Sequence, residues 1–280
     1  EIHDAANLWG LTTTETEDRL RQELTSRKEG RLSVACIGPA GQNRVRFACI
    51  VNERRAHGRG GAGAVMGSKN LKAVAARGNR KPALADETAF SAIVRRCREN
   101  ILKHPMVGRK GHFPRVGTMG TIDLTHATGT LPTRNWQENT FPSTREINGE
   151  AFLRYAVKPQ SCFACPIGCS RHTKAVRNGK EFLTEGPDYE TMYALGANCG
   201  IQEPEAIIAG DRLCDDYGMD TISCGVAIGF AMECFEKGLI SAKETEGLNL
   251  AFGNSDALME ITRRIAYREG LGDLLAEGTL

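Results

Sequence analysis

Cys162, Cys165 and Cys169 stand at C-x2-C-x3-C spacing within Ser161-Cys162-Phe163-Ala164-Cys165-Pro166-Ile167-Gly168-Cys169. Thiolates this close in sequence bind soft metals or iron–sulfur clusters. A structural zinc site pairs C-x2-C with a second such pair or with two histidines. Here His172 is the only histidine nearby, so a cluster needing one more distant ligand fits the spacing better than zinc. The spacing also reverses the C-x3-C-x2-C of radical-SAM proteins. The bland alternative is three structural cysteines that happen to cluster.

Two acidic stretches follow. Glu185-Gly186-Pro187-Asp188-Tyr189-Glu190 reads as carboxylates at a helix start, favoured there by the dipole. The same residues could carry protons beside a redox centre. Asp215-Asp216-Tyr217-Gly218-Met219-Asp220 reads as a helix end with Gly218 as the left-handed stop and Asp220 as the next N-cap. Such a turn also aims carboxylates and backbone N–H groups into one pocket, suited to a polar heterocycle.

The elements that must hold these residues follow from local rules. Thr14-Glu15-Thr16-Glu17 has the form of a capping box and predicts a helix to about Leu24. Leu32–Ile37 and Val45–Val51 read as strands joined by a Gly-Pro-Ala-Gly turn, and Ala73–Ala76 as a third. Between the second and third lies the glycine-rich run from Arg54 to Asn70, where backbone N–H groups can face anions. Its Gly58-Arg59-Gly60-Gly61-Ala62-Gly63 matches G-x-G-x-x-G only formally, because the preceding strand ends too early for a dinucleotide fold. Contact with a phosphate or cofactor is the reading preferred to a plain glycine turn.

From about residue 83 the pattern is helical. Asp86 caps a predicted helix whose Phe90, Ile93, Val94, Cys97 and Ile101 share a face. Residues 108–143 predict long loops, and Glu150–Val157 a short helix. Tyr189–Leu195, Glu203–Tyr217, Thr221–Lys237 and Ser255–Arg268 complete the helices, the third apolar all round and therefore central. Gly218, Gly238 and Gly270 sit where helices end. Strands before residue 80 and helices after it make an α+β protein.

With 41% hydrophobic and 25% charged residues the 280-residue chain has a globular composition. Its net charge of +2 supplies no field to recruit nucleic acid or a membrane surface, and no apolar run spans a bilayer. Of the ten cysteines, the seven outside the loop are scattered among apolar residues. They are expected to be small buried hydrophobes in a reducing, cytoplasmic compartment. The start on Glu1 rather than Met, and the stop on Leu280 just past a helical pattern, suggest a piece of a longer polypeptide.

Gly58-Arg59-Gly60-Gly61-Ala62-Gly63-Ala64-Val65-Met66-Gly67-Ser68-Lys69-Asn70-Leu71-Lys72-Ala73 closely resembles the signature of the tungsten-containing aldehyde:ferredoxin oxidoreductases. Cys162–Cys169, Glu185–Glu190, Asn198–Ile201 and Asp215–Ser223 follow in that family's order, so the likeness covers nearly the whole chain. It implies a tungsten (or, in rarer relatives, molybdenum) bis-pyranopterin beside a 4Fe–4S cluster. Residues 1–83 would be the end of the N-terminal pterin-binding β domain, and 84–280 a mostly helical second domain. By position, Cys162, Cys165 and Cys169 match three cluster ligands. Arg55 and Ala56 match the pterin-phosphate region, where Mg2+ bridges the two pterins and the alanine offers its carbonyl. Asp215, Met219 and Asp220 match a pterin-binding motif, with Met in place of Leu, and Glu190 matches a proton-carrying carboxylate near the metal.

The implied reaction is oxidation of an aldehyde to a carboxylic acid, with ferredoxin as electron acceptor. An aromatic acyl-CoA reductase or another tungsten oxidoreductase is the alternative within the family. A zinc-stapled structural or interaction module is the alternative outside it. The family's fourth cluster cysteine, and the histidine paired with the matched glutamate, lie beyond the span present here. The chain alone is therefore expected to hold an incomplete cofactor set and to be inactive. The E-x-x-H that binds a dimer-bridging iron in some members is replaced by Ala209 and Arg212; a homo-oligomer would need another surface.

Overall fold

A computed structural model describes residues 1–24, 32–78 and 80–279. Helix α1 (Thr13–Leu24) opens as expected, but its capping box is two residues earlier. The Thr12 hydroxyl accepts from Glu15 N–H at 3.3 Å, and the Glu15 carboxylate accepts from Thr12 N–H at 2.8 Å. Thr14 instead bonds Asp216, 2.7 Å away, and the buried Glu17 accepts from the Glu53 backbone N–H.

The first sheet is antiparallel throughout, in the order β3-β2-β1-β4. Its strands are β1 (Ser33–Cys36), β2 (Ile50–Asn52), β3 (Arg55–His57) and β4 (Ala73–Ala76). Strand β4 lies where the sequence placed it. The run Val45–Val51 does not form one strand. Helix α2 (Pro39–Gln42) replaces the expected turn, and residues 45–49 coil inward so that Val45, Phe47, Ala48 and Cys49 are all buried. The glycine-rich run is β3 followed by α3 (Ala62–Ser68), entered through Gly61 at φ 71°. Under the sheet, Lys72 is 1% exposed and donates to Leu11 O and Ile37 O at 2.8 and 2.7 Å.

Helix α4 (Glu87–Lys103) is capped by Asp86, which accepts from Ala89 N–H. Its apolar stripe is not core: Phe90, Ile93 and Val94 are exposed. The segment expected to be loop contains α5 (His112–Val116) and α6 (Thr121–Ala127). Helices α7 (Thr144–Ile147) and α8 (Gly149–Leu153) follow. The largest departure is a second antiparallel sheet, β5-β6-β7, formed by Ala156–Gln160, Ser170–Arg177 and Lys180–Glu185. Strands therefore occur on both sides of residue 80, within a protein that remains α+β.

Helix α9 (Tyr189–Thr191) widens into a π-turn at Met192–Gly196, a distortion frequent near functional sites. Then come α10 (Pro204–Tyr217), α11 (Thr221–Glu236), α12 (Ser255–Tyr267) and α13 (Leu271–Leu275). Helix α11 is central through Ala227, Ile228 and Met232, although Phe230 is exposed. Gly270 begins α13 rather than ending α12, which stops at Arg268. One apolar core joins Val45 and Phe47 to Ile207, Ile228, Ile261 and Leu275. Among the described residues no helix is long and apolar enough to cross a membrane.

Five of the seven scattered cysteines are buried (Cys36, Cys49, Cys199, Cys214 and Cys224), while Cys97 is exposed and Cys234 half-buried. Burial pushes the Cys36 thiol up to about 12, and raises Cys49 and Cys199 as well. Cys214 is raised by its hydrogen bond with Cys224 and by burial. Above the unfolded thiol value of about 8.5, these four keep protons that the unfolded chain loses. Their contribution is full below that pH and is lost as pH climbs toward the folded values. Lys72, lowered to about 8 by burial, acts oppositely up to the unfolded value of about 10.4. The thiols outnumber it, so urea midpoints under reductant are expected to fall steadily between about pH 8.5 and 10.5. A flat profile would contradict this burial.

Candidate functional site

The cysteine loop is the connection of the β5–β6 hairpin, because Gln160 pairs with Ser170 on either side of it. Closing the hairpin brings Cys162 and Cys169 to the same end of the sheet. Within the loop Cys165 N–H donates to Cys162 O at 3.0 Å, and Ala164 and Gly168 adopt left-handed φ of 56° and 66°. Beneath it lies the buried Arg171, whose guanidinium donates to Gly168 O and Ser170 O at 2.8 and 2.7 Å and to Pro114 O. Cys162 is exposed; Cys165 and Cys169 are half-buried. Burial raises the Cys169 thiol, with Asp188 and the other two loop thiols adding to the shift.

Among the described residues no three His, Cys, Asp or Glu side chains converge on one metal-ion position. His172 turns from the loop toward Arg54, 3.4 Å away. A cubane cluster makes no demand for convergence on a single ion, since each thiolate takes a different iron. Three thiols on one exposed loop above a buried guanidinium are suitable donors for it, one short of four.

The aspartate turn meets the inward coil that precedes the glycine-rich run. Cys49 N–H donates to Gly218 O at 2.8 Å and Asp220 N–H to Phe47 O at 3.1 Å, while Met219 bridges to Ala48. Gly218 takes the left-handed stop at φ 75°. Asp220 Oδ1 caps α11 through Ile222 and Ser223 N–H, at 3.0 and 3.2 Å. Its Oδ2 is buried without a partner, an acceptor free for a donor-rich heterocycle. Gly58 approaches the same aspartate: a Cβ added there would lie 3.9 Å from Asp220 Cβ. Met219 is buried and Ala56 exposed.

Arg55 on β3 pairs with Glu185 on β7, tying the two sheets together. Glu185 is therefore a strand residue rather than a helix-start carboxylate; burial raises its carboxyl, opposed by Arg55. Asp188, raised by burial, accepts from the Thr118 hydroxyl at 3.0 Å. Glu190 is exposed on α9. The half-buried Tyr193, raised by burial and then by Glu190, also feels Arg59 and Asp220, which places these four side chains in one neighbourhood.

Asp215 faces a polar cleft of about 340 Å³ lined also by Arg21, Arg54, His172 and Glu185. Neither the cysteines, Asp220 nor Glu190 line it. The orphaned Asp220 oxygen, the open Gly58 and the cation of Arg55 fit a pterin-like ligand with N–H donors and phosphates. Arg212, at the position of the dimer-iron histidine, is buried and bound to Asp216 and Thr14, and Ala209 is buried. Arg171, which supports the thiol loop, escapes the sequence reading because it lies in a run of basic and polar residues.

The chain matches the family model described as "Aldehyde ferredoxin oxidoreductase, N-terminal domain" over residues 1–78, and "Aldehyde ferredoxin oxidoreductase, domains 2 & 3" over residues 92–280. It is 44% identical to the tungsten-containing aldehyde ferredoxin oxidoreductase of Pyrococcus horikoshii, over 99% of this chain and 45% of that protein. It is 34% identical to the aliphatic sulfonate oxidoreductase, WOR-like subunit, of Pyrococcus furiosus, over 100% and 46%. The BamBC active-site complex of benzoyl coenzyme A reductase, solved with 1,5-dienoyl-CoA, is structurally similar. Its TM-score is 0.77 at 26% identity, covering 100% of this chain and 43% of that one. The chain spans about half the length of the curated relatives it matches.

Proposed function

The chain belongs to the aldehyde ferredoxin oxidoreductase family, and from that footing we propose that the whole protein oxidises an aldehyde to a carboxylic acid. Water supplies the added oxygen, two protons are released, and two electrons leave for ferredoxin. The observation that carries this reading is the grading of identities: 44% with the aldehyde enzyme against 34% with the sulfonate oxidoreductase. A bound tungsten (or molybdenum) bis-pyranopterin supplies the two-electron redox chemistry, and a 4Fe–4S cluster the one-electron exit.

Asp220 Oδ2 and Asp215 would accept from the pterin N–H donors, with Met219 between them in the turn, and Arg55 would offer its charge to the phosphates. The Ala56 carbonyl would be a ligand for Mg2+. Cys162, Cys165 and Cys169 would supply three thiolates to the cluster. Glu190, exposed beside Tyr193 and Arg59, takes a proton released in the reaction. The fourth thiolate and the remaining pterin contacts belong to the part of the family polypeptide outside the matched span. Tungsten bound stoichiometrically to these 280 residues alone would overturn that division.

The test is an aldehyde panel on the full-length protein, with ferredoxin reduction followed and tungsten, iron and sulfide quantified. Glu190→Gln is expected to lower kcat by about 10²–10⁴ with tungsten content unchanged. Cys165→Ser is expected to lose iron and acid-labile sulfide together. Zinc without sulfide, or turnover of an acyl-CoA but no aldehyde, would sink the reading.

A further inference from the structure

We propose that α4 is a docking helix: its apolar stripe seats a segment from the part of the polypeptide outside the matched span, the same part that brings the fourth thiolate to the cysteine loop. The delivery of a thiolate rests on the function proposed above; the docking does not.

Every residue from Glu87 to Asn100 is exposed. Phe90, Ile93, Val94, Cys97 and Ile101 nevertheless gather within about a third of the helix circumference. Arg95, Glu99 and Lys103 take the opposite side. Helices in water owe most of their stability to the packing of such a face, and an exposed apolar patch marks a contact. At the carboxyl end Ile101 and Leu102 are half-buried, so α4 is rooted there.

The place of that root decides what covers the stripe. Beyond His104 the chain folds back, with Gly108 N–H donating to His104 O at 2.7 Å and Phe113 N–H to Met106 O at 3.0 Å. It then enters α5, whose Pro114 O accepts from the Arg171 guanidinium. Gly117 follows, so close to the cysteine loop that a Cβ there would lie 2.6 Å from Cys169 O. Helix α4 is thus joined through α5 to a loop that is one donor short of four, and the Phe163 side chain of that loop is fully exposed. A segment that completes the loop arrives at the end of the molecule where α4 is rooted.

The relatives show that there is polypeptide enough to do this. The chain spans only 45% of the Pyrococcus horikoshii protein. The single family model for domains 2 and 3 begins inside α4, at residue 92. A second copy of the chain is the poorer occupant. Arg96 and Arg98 flank the stripe on its two sides, so two stripes laid antiparallel would set arginine against arginine. An apolar segment with acidic flanks meets no such repulsion.

The test is iodoacetamide labelling of Cys97, mapped by mass spectrometry, in these 280 residues and in the full-length protein. Cys97 should label freely in the shorter chain and at least about tenfold more slowly in the longer one. Val94→Glu places a charge in the seat. In the shorter chain it should leave the urea midpoint unmoved, because Val94 is exposed there. In the full-length protein it should restore free labelling of Cys97, and iron and acid-labile sulfide should fall together by at least about half. Arg95→Glu, on the far side of α4, should change none of these. Equal labelling of Cys97 in the two lengths would overturn the proposal, as would a shorter chain that dimerises with Cys97 protected. A full-length Val94→Glu protein that keeps either its Cys97 protection or its iron and sulfide would overturn it too. Zinc without sulfide in a full-length parent whose Cys97 is protected would overturn the proposed function and support the docking.

Discussion

Gly67→Ala is expected to lower stability by more than about 3 kcal/mol, among the largest effects of any single methyl group in the protein. A Cβ at this position would lie 1.8 Å from Gly41 O and 2.6 Å from Gly41 C. Both atoms are backbone, in α2 and facing α3, so no rotamer can yield. Relief requires the two helices to part. Separation would drag Ala40 and Val45, both fully buried in the core, from their partners. It would also disturb the segment against which Gly218 and Asp220 are hydrogen-bonded. Urea denaturation checks this, with Ser68→Ala as a neighbour whose hydroxyl bonds only Val65 O within the same turn and which should stay within about 0.5 kcal/mol of the parent. A Gly67→Ala variant within 1 kcal/mol, as a rough limit, would show that the helices are not in backbone contact.

The second large effect is expected at Arg171. Removing its guanidinium leaves Gly168 O, Ser170 O and Pro114 O without their donor. An unsatisfied buried acceptor costs about 1–3 kcal/mol; the bond to Ser170 O is buried and those to Gly168 O and Pro114 O are half-buried, so Arg171→Ala should lose about 2–4 kcal/mol. Arg171→Lys should not rescue it. An ammonium is a point donor and cannot span carbonyls that a planar fork reaches. Because those carbonyls set the path of the thiol loop, iron affinity in the holoprotein should fall by about 10–100-fold in either variant. Full iron retention in Arg171→Lys would mean that the loop holds its shape without the fork.

Features governed by local rules were readable directly. The left-handed Gly218, the Asp220 and Asp86 caps and strand Ala73–Ala76 all stand where residue type alone put them. The β5-β6-β7 sheet was not readable, because the inward positions of its central strand include Thr173 and Ala175 rather than large aliphatics. A small or polar inward face erases the period-two contrast. Residues 45–49 misled in the opposite sense: an apolar run suggested a strand, but all of its hydrophobic members are buried by coiling. Helix α4 shows the same limit differently. Its stripe has helical spacing, yet spacing says nothing about whether a neighbour covers it.

For the site, the thiol loop, the aspartate turn and the glycine-rich run were legible as motifs because each is contiguous. Their supports were not. Arg171 belongs to a basic-looking strand, and the Arg55–Glu185 pair joins residues far apart in sequence. Buried charges become recognisable only when tertiary structure supplies their partners.

The core that joins the two ends of the chain also bears on how the protein is made. Val45 and Phe47 pack with Ile261 and Leu275, Arg46 N–H donates to Ala276 O at 2.9 Å, and Asn43 reaches Ala266 O at 2.8 Å. On a ribosome adding about 5–20 residues per second, the inward coil of the first sheet, residues 45–49, emerges more than two hundred residues before α13. During that interval the coil lacks the part of its packing that α12 and α13 supply. Until those helices are made, that part of its apolar surface stays open to chaperones.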